Sequence, residues 1–114
     1  LNVMAGNITI PTATVKMEVD GKLIQEAGFG DGPVDATFKT IKKITRTKSK
    51  LLQFSINAIT GGTEAQGEVT VRLEEKGQTV MGQGADTDVI VASAKAYINA
   101  LNKMEFKKQK LVGM

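Results

Sequence analysis

A strand, a tight turn, a second strand, a glycine-bearing loop and a helix can be read in this sequence twice. That doubled order is its strongest constraint on the fold. Residues 14–20 (TVKMEVD) lie over 68–74 (EVTVRLE) at an offset of 54. Past a hairpin two residues longer in the second half the offset becomes 56, which sets Gly21 over Gly77, Gly28 over Gly84, Val34 over Ile90, Ala36 over Ala92 and Ile41 over Tyr97. Convergent amphipathic patterning is the competing account. In the first half, Val15, Met17 and Val19 alternate with Thr14, Lys16, Glu18 and Asp20, which predicts a half-buried strand over 13–20. Asp20-Gly21 is a type I′ turn signal, because both central positions of that turn need φ > 0. A return strand over 22–27 leads into Gly28–Pro33 (GFGDGP). Pro33 suits the first position of a helix, where its missing N–H costs nothing, so a helix is predicted over 33–45 with Val34, Phe38, Ile41 and Ile44 as its apolar stripe.

The second half predicts strands over 51–59, 67–74 and 78–83. A helix follows over 88–104, with Ile90, Ala94, Tyr97, Ile98, Leu101 and Met104 as its stripe and Asp86, Thr87 or Asp88 as its cap. Plain alternation in 51–59 sets Leu52, Phe54, Ile56 and Ala58 against Leu51, Gln53, Ser55 and Asn57. The class is therefore α+β, internally duplicated, with helices packed on antiparallel sheets about a pseudo-two-fold axis. Residues 1–12 read as a linker, 13–104 as the domain in units of about 13–50 and 51–104, and 105–114 as a basic tail.

Composition narrows the chemistry. The 114 residues suit one modest core, and with 4% aromatics that core must be aliphatic and small-residue packing. The absence of Cys excludes disulfides, thiolate-held metals and a thiol nucleophile, and the absence of His excludes an imidazole ligand and a Ser-His-Asp triad. The formal charge is +3, concentrated in Lys39, Lys42, Lys43, Arg46, Lys48 and Lys50 and in Lys103, Lys107, Lys108 and Lys110. With no aromatics interleaved for base stacking, these clusters read as solvated faces rather than a nucleic-acid surface. No apolar run approaches the ~18 residues of a membrane span, and no secretory leader is recognisable, so the expectation is a cytoplasmic chain with no membrane partner. The sequon Asn7-Ile8-Thr9 is then a chance match, and an opening Leu suggests a piece of a longer protein.

Three stretches are candidates for function. Gly28–Pro33 is neither a GxGxxG fingerprint nor a P-loop, and reads either as backbone donors for an anion at a helix start or as a tight strand-to-helix turn. Thr60–Gly67 (TGGTEAQG) allows close backbone approach to a ligand or partner, or is a loop. Ala92–Ala96 lacks the Ser-x-x-Lys spacing of a nucleophile and suits close helix packing. No catalytic or metal-binding residue is expected.

Four runs, Gly30–Ala36 (GDGPVDA), Leu51–Ala58 (LLQFSINA), Thr60–Leu73 (TGGTEAQGEVTVRL) and Gly82–Asn102 (GQGADTDVIVASAKAYINALN), together resemble the LeuA allosteric (dimer) domain. This is the C-terminal regulatory domain of 2-isopropylmalate and citramalate synthases. The resemblance covers about residues 11–104 and implies repeated βββα units, a homodimer, and leucine (or isoleucine) bound as a feedback effector. It implies a separate TIM-barrel catalytic domain of the same chain that condenses acetyl-CoA with a 2-oxo acid and uses a divalent metal, with no cofactor in the present residues. By the same resemblance the effector pocket lies between the units. Its residues are Gly30, Asp31, Gly32, Pro33, Val34, Thr37 and Ile41, then Leu51, Phe54 and Ala58, then Ala65 and Gly67, then Ala85 and Asp86. The family often has Asn where Asp31 stands and Tyr where Phe54 stands. Leu51 falls on the opposite strand face from Phe54 and Ala58 unless a bulge intervenes.

Overall fold

The computed structural model describes residues 10–59 and 65–112. Residues 1–9 of the expected linker with the Asn7 sequon, residues 60–64 (TGGTE) and the last two residues lie outside them, and the end expected for that linker is corrected because Thr12 already belongs to the first strand. The chain divides into two compact units, the first ending at Thr45 and the second starting at Arg46.

Unit 1 is a two-stranded antiparallel hairpin backed by a helix: β1 (Thr12–Val19), β2 (Lys22–Phe29) and α1 (Pro33–Thr45). Asp20 and Gly21 have φ of 51° and 80°, the left-handed pair that a type I′ turn requires. The register sets Ala13 opposite Gly28, Val15 opposite Glu26 and Met17 opposite Ile24, so Ala13, Val15, Met17, Val19 and Ile24 share the half-buried face. Against it α1 buries Ala36, Phe38, Thr40, Ile41 and Ile44. The sheet runs to Phe29, so Gly28 and Phe29 belong to β2 and the loop shrinks to 30–32.

Unit 2 has β3 (Lys50–Ile59), β4 (Gly67–Glu75) and β5 (Gln78–Asp86) in the order β3-β4-β5, all antiparallel, followed by α2 (Val89–Val112). Lys76 and Gly77, with φ of 52° and 79°, make a second two-residue turn. The two turns are therefore of equal length, so the expected change of offset from 54 to 56 across the hairpin is not found; counted from the turns, Val71 takes the place of Val15 and Leu73 that of Met17. The helix expected to stop at 104 continues to Val112, so residues 105–112 are helical rather than a tail. Its buried face also differs from the expected stripe. Ala92, Ser93, Ala96, Tyr97, Ala100 and Met104 are buried, while Ile90 is exposed. These small residues pack on Val69, Val71, Leu73, Val80 and the glycines of β5, as the low aromatic content requires.

Two bulges in β3 overturn its plain alternation. The register runs Leu51 to Leu73, then Gln53 to Arg72, Phe54 to Val71 and Ile56 to Val69, leaving Leu52 as an inserted residue. Leu51, Phe54 and Ile56 thus share the face of Val69, Val71 and Leu73, because one extra residue flips the parity of everything before it. The second shift, around Asn57, sets Ala58 opposite Glu68.

Asp88 caps α2. Its Oδ1 accepts the N–H groups of Ile90 (2.8 Å) and Val91 (3.4 Å), and its carbonyl accepts the N–H of Ala92 at 2.9 Å. An Asp88→Ala change is expected to cost about 1 kcal/mol of unit 2 stability, read as a lower urea midpoint with an unchanged slope.

Candidate functional site

The start of α1 holds five residues of the implied effector set: Gly30, Asp31, Gly32, Pro33 and Val34. Gly32 is the cap position, its carbonyl accepting the N–H of Ala36 at 2.8 Å. The loop's donors are partly engaged within the chain. Gly30 donates its N–H to the carbonyl of Pro11 at 3.1 Å, and Asp31 donates its N–H to Oδ2 of Asp35 at 2.8 Å. Asp35 also pairs with Lys39 at 3.1 Å. The Asp31 N–H first, and Lys39 second, hold the Asp35 carboxyl below its ordinary range. An anion does stand at this helix start, as the macrodipole favours, but it is the chain's own.

The glycines of the loop have different reasons to be there. A Cβ at Gly30 would strike the Asp35 carboxylate and lie 2.7 Å from the N of Ala36, whereas a Cβ at Gly32 meets nothing within 4 Å. Further along α1, Thr37 is buried and donates its hydroxyl to the Pro33 carbonyl at 2.8 Å, and Ile41 is fully buried. Both side chains are spent on the helix and the core of unit 1.

In unit 2 the register gathers most of the remaining set at one end of the sheet. Gly67 stands opposite Ile59 on one side and Asp86 on the other, with Ala58 opposite Glu68 and Ala85 opposite Glu68 across β5. Ala65, exposed, precedes β4 by two residues. A Cβ at Gly67 would sit 3.1 Å from Cγ2 of Val89, so glycine there lets the start of α2 close on the strand. Phe54 is half-buried opposite Val71 in mid-sheet. Leu51, opposite Leu73 and 43% exposed, is six β4 residues from Gly67, about 20 Å away, and does not join this cluster.

Asp86 is the charged centre of that end. Its Oδ1 accepts the N–H of Asp88 at 3.0 Å, and its Oδ2 pairs with Lys95 at 2.8 Å. The Asp88 N–H, then Lys95, lower its pKa. Lys95 was absent from the expected set. Its signal lay in the nine-residue spacing from Asp86, which folds together only once the helix turns back over the strand. Asp35 was likewise missed, although Asp31, Asp35 and Lys39 are spaced i, i+4, i+8 on the entry to one helix.

The basic clusters are tied largely to the chain itself. Lys43 reaches Glu26 at 3.5 Å, Lys108 reaches Glu75 at 3.0 Å, and Lys103 and Lys107 reach strand carbonyls. Among the described residues no group of three or more acidic side chains is placed to hold a metal ion, and no helix is long and apolar enough to cross a membrane.

Helix-backed antiparallel sheets, with small-residue loops where strands feed helices, define an α+β domain, and the sequence comparisons give it a family. The chain belongs to the LeuA allosteric (dimerisation) domain family, whose model matches residues 1–105. It is 64% identical to the 2-isopropylmalate synthase of Syntrophus aciditrophicus over 96% of its own length and 21% of the relative's. It is 50% identical to the 2-isopropylmalate synthase of Heliobacterium modesticaldum, covering 93% of this chain and 21% of that one, and 55% identical to that of Aromatoleum aromaticum, covering 89% and 20%. The chain thus spans about a fifth of the length of these relatives.

Proposed function

We propose that this chain is the regulatory domain of a 2-isopropylmalate synthase and binds leucine as the feedback inhibitor of that enzyme's committed step. One observation carries the reading: a family-wide match to an allosteric domain, with 64% identity to a 2-isopropylmalate synthase over nearly the whole chain. On this reading the parent is a cytoplasmic acyltransferase that joins acetyl-CoA to 2-oxoisovalerate in a metal-dependent TIM barrel, and the present domain pairs with a second copy. The residues proposed to contact the effector are those of the α1 start in unit 1 and, as a separate set, those of the Gly67–Asp86 end of the sheet in unit 2. Burying an isobutyl side chain contributes about 1.5–3 kcal/mol. Coupling to the distant site requires a difference in affinity between two states of the enzyme, typically about 1–3 kcal/mol.

The internal bonds sharpen how the polar end of the effector is held. Asp35 occupies the Asp31 N–H and Asp86 the Asp88 N–H, so an incoming carboxylate must use other donors. The α-ammonium has a ready partner in Asp86, whose oxygens retain acceptor capacity.

Calorimetry with leucine, isoleucine and valine on the folded chain tests this. Leucine is expected to bind most tightly. A preference for isoleucine points to a citramalate-synthase type of sensor, and a dimer that binds none of the three points to a structural dimerisation module and ends the leucine reading. Gly32→Asp is the decisive variant, because nothing within 4 Å opposes a side chain there. It is expected to keep the parent's melting temperature and lose at least about tenfold in leucine affinity, the ~1.4 kcal/mol of one unfavourable charge placed near the ligand.

A further inference from the structure

β5 is the edge strand of unit 2, and an edge strand presents unpaired backbone groups at every second residue. In this protein those positions are met, one after another, by side chains of α2. Lys107 donates from Nζ to the carbonyl of Thr79 at 3.0 Å. Lys103 donates to the carbonyl of Met81 at 2.8 Å. Asn99 accepts the N–H of Gln83 through Oδ1 at 3.1 Å. Lys95, whose main partner is Asp86, lies 3.5 Å from the carbonyl of Ala85. The helix positions step by four while the strand positions step by two.

That pairing of steps is geometrically matched. Four helical residues rise about 6.0 Å and two antiparallel strand residues about 6.8 Å, so one helix face can follow one strand edge over several rungs. Side-chain length follows the gap. The short Asn99 stands where the backbones are closest, beside Gly82 and Gly84, against which the Ala96 and Ala100 backbone packs. The long lysines stand towards the ends, where four-carbon stems absorb the accumulated mismatch. A lysine in a solvated face needs no strand carbonyl, so two lysines and one asparagine aimed at three successive outward positions are a pattern rather than a general basic surface.

We propose that the stripe Lys95, Asn99, Lys103 and Lys107 is a built-in guard on the β5 edge: it engages one outward backbone group at each of four successive outward positions, interrupting the ladder that a strand from a second copy of this chain would need. β3, at the other edge, is protected by a different device, its two bulges, which break the regular spacing that an added strand needs. Assembly of this domain is thereby steered away from open-ended addition at β5. This inference does not depend on leucine binding.

The test uses the full chain and the triple variant Asn99→Ala, Lys103→Ala and Lys107→Ala. Alanine is the best helix former, and the two lysines are exposed, so α2 is expected to persist by circular dichroism. Sedimentation velocity over a hundredfold concentration range is expected to show species larger than those of the parent. In those species the outward amides of Thr79 and Met81 gain hydrogen-exchange protection. Lys110→Ala, on the same helix but outside the stripe, is expected to behave as the parent. The single variant Asn99→Ala is expected to raise exchange of the Gln83 amide about tenfold, a readout that stands even if the triple variant folds poorly. An unchanged Gln83 exchange rate, or a folded triple variant with the parent's assembly state at every concentration, overturns the proposal.

Discussion

Gly82→Ala is expected to lower the stability of unit 2 by about 3 kcal/mol, whereas Gly32→Ala changes it by no more than about 0.5–1 kcal/mol in either direction. Both replace glycine by the smallest chiral residue, and neither glycine has a positive φ, so backbone strain is not the cause. The difference is the space each Cβ enters. At Gly82 it lands on the Ala96 carbonyl oxygen and the Ala100 nitrogen and comes within 2.7 Å of the Ala100 Cβ. These are backbone atoms of a helix whose own hydrogen bonds hold them in place, so the whole of α2 must lift to make room. Gly84 meets the same helix one turn earlier, 2.6 Å from the Ala96 nitrogen, and Gly84→Ala is expected to act alike. The measurement is simple in this chain. It has one tyrosine and no tryptophan, and that tyrosine, Tyr97, is buried in α2 beside the contact, so its fluorescence in a urea titration reports on unit 2. Equal midpoints for Gly82→Ala and the parent would show that α2 does not press on β5 as described.

This contact also shows what the sequence could and could not reveal. The first turn was legible because Asp20-Gly21 offers glycine where a left-handed conformation is needed, whereas the second, Lys76-Gly77, was expected to be two residues longer. The start of α1 was legible because proline has one favoured place in a helix. The bulge at Leu52 was legible only as the condition that brings Leu51 onto the face of Phe54: an inserted residue leaves the composition of a strand unchanged, and only the partner strand shows where it sits. The length of α2 was hidden for a similar reason. Residues 105–112 lack an apolar stripe, and the neighbours that hold this end of the helix, Thr79 for Lys107 and Glu75 for Lys108, lie on strands far back in the chain. For the candidate site, register did the gathering. The family resemblance named Ala58, Ala65, Gly67, Ala85 and Asp86 separately, and pairing β3 to β4 to β5 brings their backbones to one end of the sheet while leaving Leu51 at the other.

The pH profile of stability should fall on the acid side mainly through Glu75, and Glu75→Gln should flatten that fall. Glu75 has a side chain only 7% exposed at the end of β4. Its Oε1 accepts the Ser49 hydroxyl at 2.7 Å, and its Oε2 pairs with Lys108 at 3.0 Å. The Ser49 hydroxyl, then Lys108, hold its pKa below the ordinary 4.5. A carboxylate whose folded pKa is depressed binds its proton more readily in the unfolded chain. Its contribution is therefore complete above the unfolded value and drains away as pH falls through the folded one. Asp35 and Asp86 shift the same way, but they face solvent and add less to the acid limb. The alkaline limb belongs to Tyr97, whose phenol is pushed up by burial and disfavours the folded state once the unfolded chain can ionise it, and to Lys108, whose pKa is raised chiefly by its bond to Glu75. The Lys108 contribution is full below the ordinary 10.5 and is lost as pH climbs through the raised value. Between the limbs, from about pH 6 to 9, stability is expected to be flat, since the chain has no histidine or cysteine to titrate there. Glu75→Gln keeps an acceptor for Ser49 and removes the charge that Lys108 needs. It is expected to cost about 1–2 kcal/mol at pH 7 and progressively less as pH falls through the depressed folded value, where the native carboxyl takes up its proton. Urea midpoints along the acid limb, for parent and variant, check this. A loss that does not shrink as pH falls would assign the effect to packing around Glu75 instead of its charge.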